Sequence, residues 1–124
     1  MASVTDEAIL FRKATFEEIL ALRDAVIIAG TNRPPEFPGD RDAAAIHYGA
    51  FAGGENVCCG TFMLTEWFGE PAYRLRGMAT RPDMRGKGIG AAMLAAAERY
   101  IVETTAVRQL WCSAQTGAVG YYQN

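Results

Sequence analysis

Met84-Arg85-Gly86-Lys87-Gly88-Ile89-Gly90-Ala91-Ala92-Met93-Leu94 is the stretch that decides how this chain folds. An arginine and three glycines stand between Pro82 and an alanine-rich apolar run. Each glycine removes the Cβ that would keep a bulky anion away from the backbone. The run behind them predicts a helix over 88–104, with Ile89, Met93, Ala97, Tyr100 and Ile101 on one face. A helix start presents unpaired N–H groups and the positive end of its dipole. The stretch therefore reads as an anion site, best suited to a pyrophosphate.

Three phosphate loops compete for it. A Walker loop needs Ser or Thr directly after the lysine, and Ile89 is two residues beyond Lys87 with Gly88 between, so that reading fails. A dinucleotide fingerprint is met on paper by Gly86, Gly88 and Ala91. It requires an acid about 20 residues on, at the end of the next strand. Glu103, the acid near that distance, falls at the end of the helix itself. A dinucleotide-binding oxidoreductase is thus a lesser alternative. The third pattern, Arg85-x-x-Gly88-x-Gly90, resembles the acyl-CoA pyrophosphate loop of the GCN5-related N-acetyltransferases (GNAT family). Leu75-Arg76-Gly77-Met78-Ala79-Thr80-Arg81-Pro82 resembles that family's fourth strand, and 109–115 its fifth. Gln115, Ala118 and Tyr122 fall where the family often has an Asn, a small residue and a Tyr on the following helix. The match runs from about Ile9 to Asn124 and is specific from Leu75 onward. The family normally continues with a turn and two more strands, whereas this chain stops at Asn124.

The resemblance implies an α/β fold over 1–124, a mixed and mostly antiparallel sheet flanked by helices, short at its C-terminal end. It implies an N-acetyltransferase that moves an acetyl group from acetyl-CoA to a primary amine by direct attack. Arg85, Gly86, Lys87, Gly88, Ile89, Gly90 and Ala91 would hold the pyrophosphate, with Gln115 as a further cofactor contact. The backbone of Met78, Ala79 and Thr80 would pair with the pantetheine arm and offer an N–H to the thioester oxygen. Tyr122 is the candidate general acid. A thiol of ordinary pKa about 8.5 is a mild leaving group, and a phenol of pKa about 10 can protonate it. Glu66, Glu70 and His47 are the candidate bases, none of them singled out by the residues alone. A catalytic triad is not expected, because His47 is the only possible base partner and no G-x-S-x-G elbow exists. An inactive CoA-binding module, or a fragment that needs a partner to fold, is the main alternative.

The totals agree with a small enzyme. A chain of 124 residues, half of them hydrophobic, predicts one domain with its own core. A net charge of −2 argues against nucleic acid as a partner. Residues 1–70 hold 11 acids and 5 bases, net −6, and residues 71–124 hold 3 acids and 7 bases, net +4. The basic half suits a polyanionic cofactor, and the acidic half would suit a cationic amine. Small-molecule and peptide amines both remain open as acceptors. Cys58, Cys59 and Cys112 lie in apolar runs and show no zinc spacing, so no metal and no disulfide are expected. Residues 1–8 lack the apolar core of a signal peptide, and no apolar run reaches the roughly 18 residues of a membrane span. The expectation is a cytoplasmic protein without a membrane partner.

Along the chain, residues 8–13 predict a first strand. Thr15 and Glu18 form a capping box for a helix ending near Gly30, with Phe16, Ile19, Leu20, Val26 and Ile27 on one face. Pro34, Pro35, Pro38 and Gly39 mark a loop over 31–42, with a short helix possible over 42–46. Strands over 47–52 and 56–66 flank a Gly53-Gly54 hairpin. Residues 67–72 turn, and 73–80 form the next strand, in which Gly77 signals a bulge or a close backbone approach. A strand over 109–113 and a helical turn over 117–122 finish the chain. With no successor strand, 109–113 would leave an uncovered apolar edge, which predicts a homodimer or higher oligomer.

Overall fold

The computed structural model describes residues 8–113 and 119–123, with side chains as far as residue 112. Six strands form one sheet in sequence order: β1 (Ile9–Ala14), β2 (Ile46–Ala52), β3 (Glu55–Trp67), β4 (Glu70–Thr80), β5 (Gln109–Ser113) and β6 (Val119–Gln123). Every neighbouring pair is antiparallel except β4 and β5. That single parallel pair needs a crossover, and α2 (Ile89–Thr104) supplies it.

The local signals produce these elements. Thr15 accepts from the Glu18 N–H, and Glu18 accepts in return from the Thr15 N–H at 2.9 Å, which starts α1 (Phe16–Arg23). A π-helical segment, Asp24–Ile28, continues it. The wider turn rotates the apolar stripe, so Phe16, Ile19, Leu22 and Ile28 are buried while Val26 and Ile27 only flank the core. Both hairpins are two-residue turns with positive φ, Gly53-Gly54 between β2 and β3, and Phe68-Gly69 between β3 and β4.

The sheet is covered on both faces. On one side α1 packs over Ala14, Phe51, Cys59 and Ala79. On the other, Ile89, Met93, Ala97 and Ile101 of α2 pack on Tyr48, Ala50, Val57, Phe62 and Leu75. This two-sided burial explains the near-continuous apolar run of β3.

Three expectations are corrected. Residues 42–46 form no helix. The bonds Asp40 N–H to Phe37 O, Asp42 N–H to Gly39 O and Ala45 N–H to Asp42 O close successive four-residue turns, and Ile46 already belongs to β2. Where a helical turn was expected over 117–122, residues 119–123 form strand β6, antiparallel to β5 with Tyr122 opposite Leu110. Valine and two tyrosines suit a pleated neighbour better than a short helix. The β5 edge is therefore covered by β6, and the uncovered edge from which a homodimer was expected is not there.

Candidate active site

Strand β4 carries the geometry that matters. Its register with β3 passes from Cys59 opposite Ala79 to Thr61 opposite Arg76, so Gly77 and Met78 face the single residue Gly60. This is a β-bulge, and Gly77 takes φ +64° within it. The extra residue reverses side-chain parity. Before it, Tyr73 and Leu75 face α2; after it, Ala79 faces α1 and Met78 packs toward α2. A Cβ at Gly77 would lie 2.9 Å from the Phe37 ring and 3.0 Å from Arg23 Nε, so glycine is required there for space as well as for φ.

The parallel pairing of β4 with β5 covers only Tyr73–Leu110, Arg74–Trp111 and Leu75–Cys112. From Arg76 to Thr80, β4 runs on without a β5 partner among the described residues. A bulge that increases local twist is a physical reason for the two strands to part there.

The strand end without a β5 partner leads directly into the glycine loop. A short 3₁₀ turn, Pro82–Met84, is followed by Gly86 and Gly88, both at φ +76°. Gly88 is the N-cap of α2 and contributes no side-chain cap. The first helical bond runs from the Ala92 N–H to Gly88 O at 3.0 Å. The N–H groups of Ile89, Gly90 and Ala91 precede it and have no intrahelical acceptor. A Cβ at Gly86 or Gly88 would meet nothing, whereas one at Gly90 would lie 2.9 Å from Met78 Cε. Gly90 thus seats the helix start against β4, and Gly86 and Gly88 leave an open cradle. Exposed Arg85 donates from Nε to Thr80 O at 3.3 Å, tying the loop to the end of the strand.

On the α1 side of the bulge lies a cavity of about 390 Å³ whose walls include Arg33, Phe37, Arg76, Gly77 and Met78. Behind its Phe37 wall lies a buried network. Arg23, with no exposed surface, donates to Asp40 Oδ2 at 2.7 Å and Oδ1 at 3.0 Å, to Pro35 O at 2.9 Å and to Thr61 Oγ1 at 2.6 Å. Asp40 also accepts from the Phe37 N–H. The Phe37 ring stacks on the Arg23 guanidinium at 4.1 Å. This network anchors the Pro-rich loop over β3 and β4, and sequence reading missed it.

A strand that parts from its parallel neighbour at a bulge, then feeds a glycine cradle at a helix start, is the arrangement that the family resemblance required. The model of the acetyltransferase (GNAT) family matches residues 14–124. This chain belongs to the GNAT family. It is 32% identical to the uncharacterized N-acetyltransferase YitI of Bacillus subtilis (strain 168) over 93 residues, 70% of this chain and 60% of YitI. The GNAT chain described here thus spans about 60% of the length of that curated relative. Its fold is similar to that of an acyl-CoA N-acyltransferase from Pseudomonas aeruginosa, with a TM-score of 0.74 and 14% identity over 88% of this chain and 81% of that one. It is also similar to an aminoglycoside acetyltransferase from an uncultured soil metagenomic sample, with a TM-score of 0.71 and 14% identity over 86% and 78%. No described helix is long and apolar enough to cross a membrane.

Within this GNAT domain the expected cofactor residues fall together. Met78, Ala79 and Thr80 form the free strand end, and Arg85 to Ala91 form the loop and helix start. Gln115 lies outside the described residues. The candidate bases do not join them. Glu66 and Glu70 are exposed at the β3–β4 hairpin, and seven residues of strand, roughly 23 Å, separate Glu70 from Gly77. His47 is buried, with Nδ1 at 2.8 Å from Thr61 Oγ1 and Nε2 at 2.9 Å from Asp40 O. Both ring nitrogens are committed to the network, so His47 positions the loop. Tyr122 stands in the row Tyr73–Leu110–Tyr122, five residues up β4 from Met78, or roughly 16 Å along the strand.

Proposed function

We propose that this protein transfers an acetyl group from acetyl-CoA to a primary amine by direct attack. The observation that carries this reading is the end of β4, Met78–Thr80, which runs on without a β5 partner among the described residues and leads through the cradle at Gly86 and Gly88 to the start of α2. Acetyl-CoA supplies an activated thioester. The amides of residues 86–91, with the helix dipole behind them, would hold its pyrophosphate, and Arg85 and Lys87 add positive charge. The Met78–Thr80 backbone would align the pantetheine arm, and an N–H there would stabilise the charge that develops on the thioester oxygen.

Direct attack is favoured over an acyl-cysteine route by the state of the nearby thiols. Cys58 and Cys59 pair with Thr80 and Ala79 across the sheet, and neither has exposed surface. Burial pushes the Cys58 thiol up and the Cys59 thiol up to about 12. A thiol is a nucleophile only as its thiolate, so these two are inert at neutral pH.

The test is a thiol-release assay with acetyl-CoA against a panel of amines, with the acetylated product identified by mass. Amine-dependent release of CoA is expected. Acetyl-CoA binding without turnover of any amine would favour the inactive module, and NAD binding in its place would favour the oxidoreductase. A second measurement concerns the proton donor. With Tyr122 in strand β6 opposite Leu110, Tyr122→Phe is expected to keep kcat within about threefold. A loss of the roughly 10²-fold typical of a general acid would return that role to Tyr122.

A further inference from the structure

The walls of the cavity beside the bulge carry three arginines, none of them in an ion pair among the described residues. Arg33 from the Pro-rich loop and Arg74 and Arg76 from β4 line it. Arg74 and Arg76, two residues apart on one face of the strand, also line an adjoining cavity of about 260 Å³ beside Asp42. The two cavities together present three guanidiniums and one carboxylate. Among the described residues, none of the three arginines has a carboxylate partner for its side chain; Asp40, the nearest buried acid, is held by Arg23. Arg74 stacks on Trp111 at 5.0 Å and leaves a buried Nε–H without an acceptor. Arg76 stacks on Phe37 at 4.9 Å.

Unpaired like charges at this spacing are unfavourable in the free protein. Burial, and then the charge of Arg74 with smaller contributions from Arg23 and Arg33, holds the Arg76 pKa below its ordinary value, against an opposing pull from Asp40. Such an arrangement is at home where a ligand brings the missing anion, and arginine's planar fork matches a carboxylate or phosphate with two parallel bonds.

We infer that the acceptor amine carries an anionic group, a carboxylate or a phosphate, bound by Arg33, Arg74 and Arg76 beside the bulge. The inference rests on the acetyltransferase reading, because it places the amine at the end of β4 that has no β5 partner. From Arg76 to Met78 is two residues, roughly 7 Å along the strand, so amine and anion lie close together in the acceptor. The summed acidity of residues 1–70, which suggested a cationic amine, is not the charge that faces this cavity; Arg33 comes from that same half.

The experiment uses matched pairs: the amino acids against their carboxamides, and phosphoethanolamine against ethanolamine. Each member is assayed for thiol release with acetyl-CoA, and for binding by calorimetry with and without CoA. The anionic member of one pair is expected to be favoured at least tenfold in kcat/KM and in affinity, and the pair that shows it separates carboxylate from phosphate. Arg76→Gln should shrink that preference to within about threefold, chiefly through KM, while Arg76→Lys retains most of it. Because it removes a repelling charge, Arg76→Gln should melt no lower than the parent. Equal treatment of both members, a preference for the neutral ones, or an Arg76→Gln variant that instead loses acetyl-CoA affinity would overturn the inference. Failure of acetyl-CoA to bind would sink the acetyltransferase reading alone, since calorimetry without CoA still decides whether the arginines select an anion.

Discussion

Asp40→Ala is expected to destabilise this domain by about 3–5 kcal/mol, the range seen when one member of a buried ion pair is removed. Both side chains of the Arg23–Asp40 pair are without exposed surface. Alanine would leave the guanidinium with Pro35 O and Thr61 Oγ1 as acceptors and no counter-charge in a low-dielectric setting. It would also free the Phe37 N–H and release the loop that walls the cavity. For a chain of this size the melting temperature should fall by about 10–20 °C. Thermal and urea unfolding measure it. Replacing both partners, as in Arg23→Met with Asp40→Leu, should recover most of the loss, because the cost lies in the orphaned charge. A single variant that melts within a few degrees of the parent would mean that water reaches Arg23 and that the network is not closed.

Gly88→Val is expected to weaken acetyl-CoA binding by at least about 10²-fold. The residue sits at φ +76° as the N-cap of α2, a conformation that a β-branched side chain resists at a cost of about 1–3 kcal/mol. Relief of that strain turns the loop and re-aims the amides that face the pyrophosphate. The control is Gly69→Val. Gly69 has φ +81° and equally open surroundings, but it lies in the hairpin at the far end of β4. It should carry a similar stability loss with acetyl-CoA affinity intact. Equal affinities in the two variants would separate the loop from the cofactor.

What could be read from the sequence was local or bound to a motif. The capping box at Thr15 and Glu18, the apolar face of α2, the Gly53-Gly54 hairpin and the Gly77 bulge each depend on residues a few positions apart. The glycine cradle was legible because its chemistry resides in the backbone, which glycine spacing reports. The Arg23 network was not legible. An arginine in the last turn of an amphipathic helix reads as a surface cation, and its partners Asp40 and Thr61 are 17 and 38 residues away. Arg74 and Arg76 were not singled out in the sequence, although strand alternation places them on one face. Which face it was depended on the bulge and on where the Pro-rich loop lands. Strand β6 was missed because pairing with β5, a tertiary event, decides between a strand and a helical turn for a five-residue segment.

The most direct test of the central claim is an NMR titration of the ¹⁵N-labelled protein with acetyl-CoA, following the backbone amides. The largest shifts are expected at Met78, Ala79 and Thr80 and at Gly86, Gly88, Ile89, Gly90 and Ala91, with the β3–β4 hairpin around Gly69 unmoved. Shifts centred elsewhere, or none at millimolar acetyl-CoA, would contradict it.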